Sequence, residues 1–438
     1  MAFSLHGVIV PDRKNTAASP AVRMPVPKTV SIPMVMHIGN PAKPVVKVGD
    51  HVDVGTLIAE QDGVVSSPIY ASISGKVTKV SDMLISTGAL VPAITIESDG
   101  ENTVSADVVP PVINSKEDFV EAVKKSGLVG LGGAGFPTYI KFSSEKTIEH
   151  FIINGTECEP YITSDTRTML DDADYIAEAI EVIDKYFNVG QFIIGIEKNK
   201  KDVLAKMNAI AEKNSKVSVK VLPKRYPQGG EKVLVFNTTK KVIKAGQLPL
   251  DVGCIVCNCT TMAFIAKYLK TGMPLVEKTI TVDGGCVNEP KNVIAPIGVA
   301  LKDVFDFCGG FKETPQKVIY GGPMMGVSVP NTDVPVLKQT NAILALNKKE
   351  VYTPKQTNCI RCGTCLNTCP LGINPVDIVK YYDLRDMPKL KKAGIEVCME
   401  CGCCSYNCPA SRPLVQINKM AKVAYREYKA DQEKEANK

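Results

Sequence analysis

The sequence predicts a multidomain protein of α/β plus β architecture that closes in a small, cysteine-rich α module. Three observations carry this. Residues 1–100 hold short alternating apolar runs broken by Gly and Pro, the mark of an all-β unit. From about 115 to 250, strand-like runs alternate with helical periodicity, which argues for an α/β layer with a largely parallel sheet. Near the C-terminus, eight cysteines fall into two runs of a single spacing, C-x2-C-x2-C-x3-C-P. A chain of 438 residues, 45% of them apolar, is long enough for roughly two to four cores.

The stretch VKVGDHVDVGTLIAEQDGVVSSPIYASISGKV, residues 46–77, resembles the barrel-sandwich hybrid fold of lipoyl and biotinyl domains, with turns at Gly49-Asp50, Gly55 and Ser74-Gly75. A carrier domain would need a lysine at a hairpin tip. No lysine lies between Lys47 and Lys76, and the expected tip reads Glu60-Gln61-Asp62-Gly63. The module at 1–100 is therefore expected to be structural or to serve docking. His37 and His51, which sit in it, are read as structural.

A polar, proline-bearing linker runs from about Asp99 to Asn114, and Ser115-Lys116-Glu117-Asp118 reads as a helix start with an acidic first turn. HFIING (150–155), QFIIGI (191–196) and VSVKVLP (217–223) read as strands, and residues 171–187 as a helix with Ile176, Ile180, Ile183 and Phe187 on one face. These define an α/β domain at 115–250. KTITVDGGCVNEP and the helix-like IGVALKDVFDFCGG suggest a compact β-grasp unit at 275–330. The cysteine module spans 352–425 and ends in a charged helical tail.

Cys359, Cys362, Cys365 and Cys369 form the first cysteine run; Cys398, Cys401, Cys404 and Cys408 form the second. This is the bacterial ferredoxin spacing, in which three thiolates of a run wrap one [4Fe-4S] cluster and the fourth ligates the other. One set is then Cys359, Cys362, Cys365 and Cys408, and the other Cys398, Cys401, Cys404 and Cys369. Paired zinc knuckles and a disulfide framework are the rival readings. Cys403 reads as a non-ligand. Cys254, Cys257 and Cys259 form a further C-x2-C-x-C group, which either binds metal, exchanges disulfides or is inert.

Gly130, Gly132, Gly133 and Gly135 crowd six residues before Phe136-Pro137, leaving backbone amides bare for an anionic or planar ligand, or forming merely a flexible turn. The spacing is not the dinucleotide fingerprint, because Pro137 interrupts the following helix. Two more loops follow strands: Asn154-Gly155-Thr156-Glu157-Cys158-Glu159-Pro160 and Arg225-Tyr226-Pro227-Gln228-Gly229-Gly230-Glu231-Lys232. In this order, and with Gly321-Gly322-Pro323-Met324-Met325-Gly326 and the paired cysteine runs, these motifs resemble the C subunit of the Rnf complex over nearly the whole chain. They resemble the flavin-bearing subunit of respiratory complex I more distantly. The resemblance implies a Rossmann-like FMN/NAD domain, a soluble-ligand-binding (SLBB-like) β-grasp domain and a ferredoxin-like domain with two [4Fe-4S] clusters.

Carried over by position, the resemblance implies that Gly130, Gly132, Gly133 and Lys141 surround FMN and its phosphate. Asn154 and Glu157 meet the ring, Tyr226, Gly229 and Gly230 close the site, and Asn258 and Thr261 take the phosphate. Phe136 stacks on the NAD(H) adenine, and Glu159 and Glu231 contact the nucleotide. There are departures. Complex I has N-x-D-E-G-E-P where this chain has Thr156 and Cys158, and a glutamate where it has Gly230. The usual Rnf N-terminus carries Gly-Gly-x-His-Pro, whereas this chain reads Leu5-His6-Gly7-Val8-Ile9-Val10-Pro11.

The implied activity is an NAD(H)-dependent oxidoreductase that exchanges hydride between NAD(H) and FMN and relays single electrons through the clusters. No side-chain nucleophile or general base is expected. The implied role is the NAD(H)-facing peripheral subunit of a ferredoxin–NAD oxidoreductase. Two alternatives stand beside it: a soluble paralogue serving a proline or cobalamin reductase, and a non-catalytic electron wire. Partners would be other electron-transfer subunits or a downstream reductase, with ferredoxin reached indirectly. A charge of +6 from 52 basic and 46 acidic residues, with no dense arginine block, does not imply nucleic acid. MAFSLHGVIVPDRK lacks a signal-peptide apolar stretch, and no window approaches the ~18 uninterrupted apolar residues of a membrane span. Fifteen cysteines without a secretion signal point to a reducing compartment. The expected location is cytoplasmic, touching the membrane only through partner subunits.

Overall fold

A computed structural model describes residues 6–86 and 88–436. The N-terminal module folds as two facing sheets. One pairs Thr29–Pro33, Leu90–Ser98, Gly75–Leu84 and His51–Val52; the other pairs Lys43–Pro44, Leu57–Glu60 and Ile69–Tyr70. Alternation sends Val30, Ile32, Ile58, Val77, Ile94 and Ile96 inward, all essentially unexposed. Gly75 sits at φ +149°, and a Cβ there would lie 2.0 Å from the Glu97 carbonyl, so the strand crossing needs glycine. His37 is structural as expected: Nε2 contacts the Asn40 carbonyl at 2.9 Å, and burial beside Lys338 pushes its pKa down to about 4. His51 is exposed beside Asp53 and Asp99.

Helix Lys116–Lys125 begins at the reciprocal Ser115/Asp118 capping box. It leads into a four-stranded, wholly parallel sheet in the order Val217–Leu222, Gln191–Glu197, His150–Asn154, Cys254–Asn258. The cores of Gln191–Glu197, His150–Asn154 and Cys254–Asn258 are buried on both faces, as a helix-covered parallel sheet requires, while the edge strand Val217–Leu222 is partly exposed. The chain runs outward from His150–Asn154 through two strands, then returns to the opposite side for Cys254–Asn258. That reversal is a topological switch point, where open α/β sheets place their ligand crevice beyond the C-terminal strand ends. The sheet needs Cys254–Asn258, so this unit extends past residue 250.

The β-grasp unit also reaches further than 330. Its mixed sheet places Ala342–Leu346 between Glu277–Asp283 and Lys317–Tyr320. At the other edge, Val22–Arg23 pairs in parallel with Lys291–Pro296. The N-terminal segment is thus a strap across domains. Val8 pairs with Tyr226 in both directions at 2.8 Å, and Asn292 Nδ2 donates to the Thr16 carbonyl at 3.0 Å.

The C-terminal module is helical and repeats itself. Each cysteine run turns through a glycine of positive φ, Gly363 at 75° and Gly402 at 80°, into a one-turn helix, Thr364–Asn367 and Cys403–Tyr406. Helices Pro375–Asp383, Met387–Lys392 and Leu414–Ala436 pack around Ile378, Leu390, Ile395, Ala421 and Tyr425. Among the described residues, no helix is long and apolar enough to cross a membrane.

Lys338 joins three units. It is fully buried, and Nζ donates to Ser67 Oγ at 3.1 Å, the Pro68 carbonyl at 2.6 Å and the Gly127 carbonyl at 2.7 Å. Lys338→Met leaves these acceptors without their donor and should cost about 2–3 kcal/mol, read as a lower denaturant midpoint. Burial pushes the Lys338 amine from 10.5 down to about 7. The folded chain therefore loses this proton before the unfolded chain does, so stability should climb between pH 7 and 10, more in the parent than in Lys338→Met.

Candidate functional site

Beyond the ends of strands His150–Asn154 and Cys254–Asn258, a cavity of about 550 Å³ opens between the α/β layer, the β-grasp unit and the cysteine module. Its size and setting are those of a cofactor site. Gly132, Gly133, Asn154, Glu157, Glu159, Tyr226, Gly229, Gly230, Glu231 and Asn258 line it, so four separate segments of the chain converge. The floor is built by helix capping. Asn258 Oδ1 accepts from Thr260 N at 2.8 Å at the start of helix Cys259–Thr271, and its Nδ2 donates to Asp165 at 2.7 Å. A Cβ on Gly132 would stand 3.1 Å from Asn258 Cβ; the glycine lets the loop settle on that helix start.

Gly130, Lys141, Phe136 and Thr261 do not line the cavity. Gly130 N donates to the Phe136 carbonyl at 2.8 Å, closing the loop on itself, and Phe136 is half-buried. Thr261 is buried, and its Oγ1 accepts from Leu131 N at 3.1 Å, pinning the same loop to the helix. Lys141 Nζ donates to the Val256 carbonyl at 2.7 Å. These residues shape the crevice from behind.

The Asn154–Pro160 loop forms one wall. Asn154 Nδ2 donates to the Gly229 carbonyl at 3.0 Å, joining two of the motifs. Glu157 borders the lumen, but its carboxylate is tied to other protein groups. Its Oε1 accepts from Asp165 N at 2.7 Å at the start of helix Ser164–Asp171, and its Oε2 pairs with Lys200 Nζ at 2.6 Å. Burial alone would raise its pKa, but Lys200 and Lys14 outweigh burial and hold Glu157 low. Lys14 Nζ also donates to the Glu157 carbonyl at 2.9 Å and the Glu159 carbonyl at 2.7 Å. Glu159 accepts from Met324 N at 3.0 Å and Met325 N at 2.7 Å. Gly322 makes room, since a Cβ there would fall 2.3 Å from Glu159 Oε2. Burial pushes Glu159 up to about 7 against these two hydrogen bonds.

Sequence reasoning missed the wall supplied by Leu337, Gln339, Thr340 and Asn341, the Ser86 edge, and Met399. No local motif marks them. Only the Gly321–Gly326 run signalled that this part of the chain approaches the crevice.

The eight cysteines surround two further cavities. Cys369, Cys398, Cys401 and Cys404 line one, together with Cys403, whose thiol points to the Tyr226 carbonyl; Cys359, Cys362, Cys365 and Cys408 line the other. Each set draws its fourth thiol from the opposite run. Among the described residues, no group of His, Cys, Asp or Glu forms a site for a single metal ion. Four thiols at the ferredoxin spacing, facing one cavity, form a donor set that fits a [4Fe-4S] cluster. The first set is the nearer to the large cavity, because the Tyr226 hydroxyl, which lines that cavity, donates to the Cys401 carbonyl at 2.7 Å. The second is outermost, with Cys359, Cys362 and Ile360 exposed. Cys403 is fully buried beside the Tyr226 carbonyl. Cys254, Cys257 and Cys259 are buried, and burial raises all three thiols.

A family model described as the Nuo51 FMN-binding domain matches residues 123–267, the RnfC barrel sandwich hybrid domain matches 3–101, and the SLBB domain matches 279–328. The C subunit of the proton-translocating ferredoxin:NAD(+) oxidoreductase complex of Clostridium ljungdahlii is 41% identical over 399 residues, covering 89% of this chain and 87% of that one. The chain belongs to the RnfC family. The Na(+)-translocating counterpart from Acetobacterium woodii is 39% identical, covering 86% of each chain. The C subunit of the ion-translocating oxidoreductase complex of Rhodobacter capsulatus is 36% identical, covering 96% of this chain and 83% of its own. A solved NAD+-reducing [NiFe]-hydrogenase, in the H2-reduced state, shares the fold with a TM-score of 0.51 at 17% identity, over 73% of this chain and 62% of that one. RnfC membership and the FMN-binding domain make this an oxidoreductase component whose chemistry is NAD-linked electron transfer.

Above about pH 7 the Glu159 carboxylate is charged and disfavours an anionic ligand in this cavity; below it the group is neutral. NADH affinity, measured by titration calorimetry, should weaken several-fold as pH rises through 7. Glu159→Gln should flatten that dependence.

Proposed function

We propose that this protein takes hydride from NADH, or returns it to NAD+, at the large cavity and passes single electrons outward through two [4Fe-4S] clusters. The observation that carries the proposal is the sequence of three adjoining cavities. The largest is lined by glycine-rich loops, the next by Cys369, Cys398, Cys401 and Cys404 with Tyr226 between, and the last by four thiols of which Cys359 and Cys362 are exposed. The balance is simple: NADH becomes NAD+ and a proton, and two clusters each gain one electron. Bound FMN supplies the conversion between two-electron and one-electron chemistry.

The chain's own residues bind, orient and exclude water. Gly132 and Gly133 carry no side chain to obstruct a ligand's access to backbone amides, and the start of helix Cys259–Thr271 offers a positive dipole end to a phosphate. Asn154 and Gly229 hold two loops together across the mouth. Thr261 and Lys141 act from behind by fixing the loop and the end of the adjoining strand. Glu159 and Glu231 face the nucleotide half. The buried apolar shell of Val8, Val10 and Tyr226 around Cys401 and Cys403 keeps water from the passage to the inner cluster.

The close match to proteins of translocating complexes favours a role as the NAD(H)-facing component of a membrane ferredoxin–NAD oxidoreductase. One feature favours a different docking partner, and with it a soluble reductase system. The N-terminal strap departs from the family pattern just where Ile9 stands 70% exposed. Affinity purification from native membranes and from the soluble fraction separates the two.

Anaerobically reconstituted protein should retain FMN, carry about eight iron atoms, and show flavin and cluster bleaching on adding NADH. An intact, iron-loaded protein that NADH leaves oxidised would sink the proposal. Cys369→Ser and Cys404→Ser should erase the same electron paramagnetic resonance signal, and Cys408→Ser and Cys365→Ser the other. Signals that instead pair by run would contradict the crossed ligand sets.

A further inference from the structure

We infer that Met399 is the positioning residue that holds the inner cluster against the flavin cavity, and that residue 230 is glycine to admit it. This rests on the function proposed above. Among the described residues lining the two cavities, Met399 is the one they share. It lies between Cys398 and the Glu400-Cys401 pair, so its backbone belongs to the thiol loop while its side chain reaches the flavin side. A Cβ on Gly230 would stand 1.9 Å from Met399 Cε and 3.3 Å from Sδ. The thioether therefore fills the space that a side chain at 230 would take. Complex I carries a glutamate at the matching position, and that longer, charged side chain is incompatible with Met399 in this place.

The surroundings support a built contact. Tyr226 donates its hydroxyl to the Cys401 carbonyl at 2.7 Å, and a Cβ on Gly402 would approach the Met324 carbonyl to 3.0 Å. Met399, Met324 and Cys158 pack against the buried group Val8, Val10, Tyr226, Cys401 and Cys403. The apolar group borders polar atoms that are themselves paired, the Tyr226 hydroxyl on the Cys401 carbonyl and the Glu159 carboxylate on Met324 N. Methionine suits the task because its unbranched, polarizable thioether fills irregular gaps. With FMN and the inner cluster bound, Met399 and Tyr226 would hold the two sites in contact, and the cofactors would supply the one-electron chemistry.

The test uses the full chain, reconstituted with FMN, iron and sulfide, in anaerobic stopped flow with NADH. Flavin bleaching and cluster reduction are followed separately, and midpoint potentials are measured by resonance titration. Met399→Ala should lower the ratio of cluster to flavin reduction rates on the order of tenfold, since a shift of about an ångström between held groups is costly. Its cluster potential should stay unchanged. Met399→Leu, which refills the gap, should restore most of the ratio. Gly230→Ala, which pushes the thioether aside, should lower it with Met399 intact, and so serves if Met399→Ala fails to load its clusters. An unchanged ratio in Met399→Ala or in Gly230→Ala overturns the inference, as does a fall explained by a shifted potential. If the parent protein itself shows no NADH-driven cluster reduction, the functional reading fails with it; a normal parent beside an unaffected variant fails the inference alone.

Discussion

Glu157 and Lys200 are both buried, with 2.6 Å between carboxylate and ammonium, and the cavity wall hangs from that pair. Burying two charges is costly, and their attraction offsets the cost only when further hydrogen bonds complete the arrangement. Here they do. The carboxylate also receives the backbone of Asp165 and Thr166 at a helix start, where the dipole favours an anion. Lys14 approaches the same carboxylate at 3.9 Å while capping three carbonyls of the loop. The wall is held by paired charges, and Glu159 reaches the lumen with its carboxylate held by Met324 N and Met325 N.

That arrangement makes the N-terminal strap part of the site. Lys14 belongs to a segment that runs past Tyr226, the Asn154–Pro160 loop and the β-grasp sheet, fixing their spacing. Lys338 does the same on the opposite side, where it ties the barrel module to the α/β layer. A cavity bounded by several units keeps its shape only if such ties resist independent movement. Both lysines use a single flexible stem to reach acceptors on separate segments, which no backbone pairing could do.

The departures from the complex I pattern form a coherent set. Thr156 hydrogen-bonds Asn154 through Oγ1 at 2.7 Å, and a Cβ on Gly229 would collide with that hydroxyl at 2.7 Å. The Cys158 thiol accepts from Gly229 N at 3.5 Å, and burial raises it to about 12, so it stays neutral. Met399 fills the space beside Gly230. Small residues at 229 and 230 thus answer larger neighbours brought in from other loops.

Much of the chemistry was legible in the chain itself. Cysteine spacing suggested two crossed thiol sets, and the fold brings those sets to two separate cavities. Strand runs, the capping box and the glycine-rich loop followed from local periodicity and turn chemistry. The chain could not reveal that Lys141 and Thr261 brace the site instead of lining it, or that Glu157 turns toward Lys200. Nor did it show that strand Ala342–Leu346 completes the β-grasp sheet. Those outcomes depend on which side chains meet across domains, and sequence distance carries no trace of that. Local spacing determined what each segment can bind; only the tertiary packing decided which segments share one cavity, and in what order the cavities adjoin.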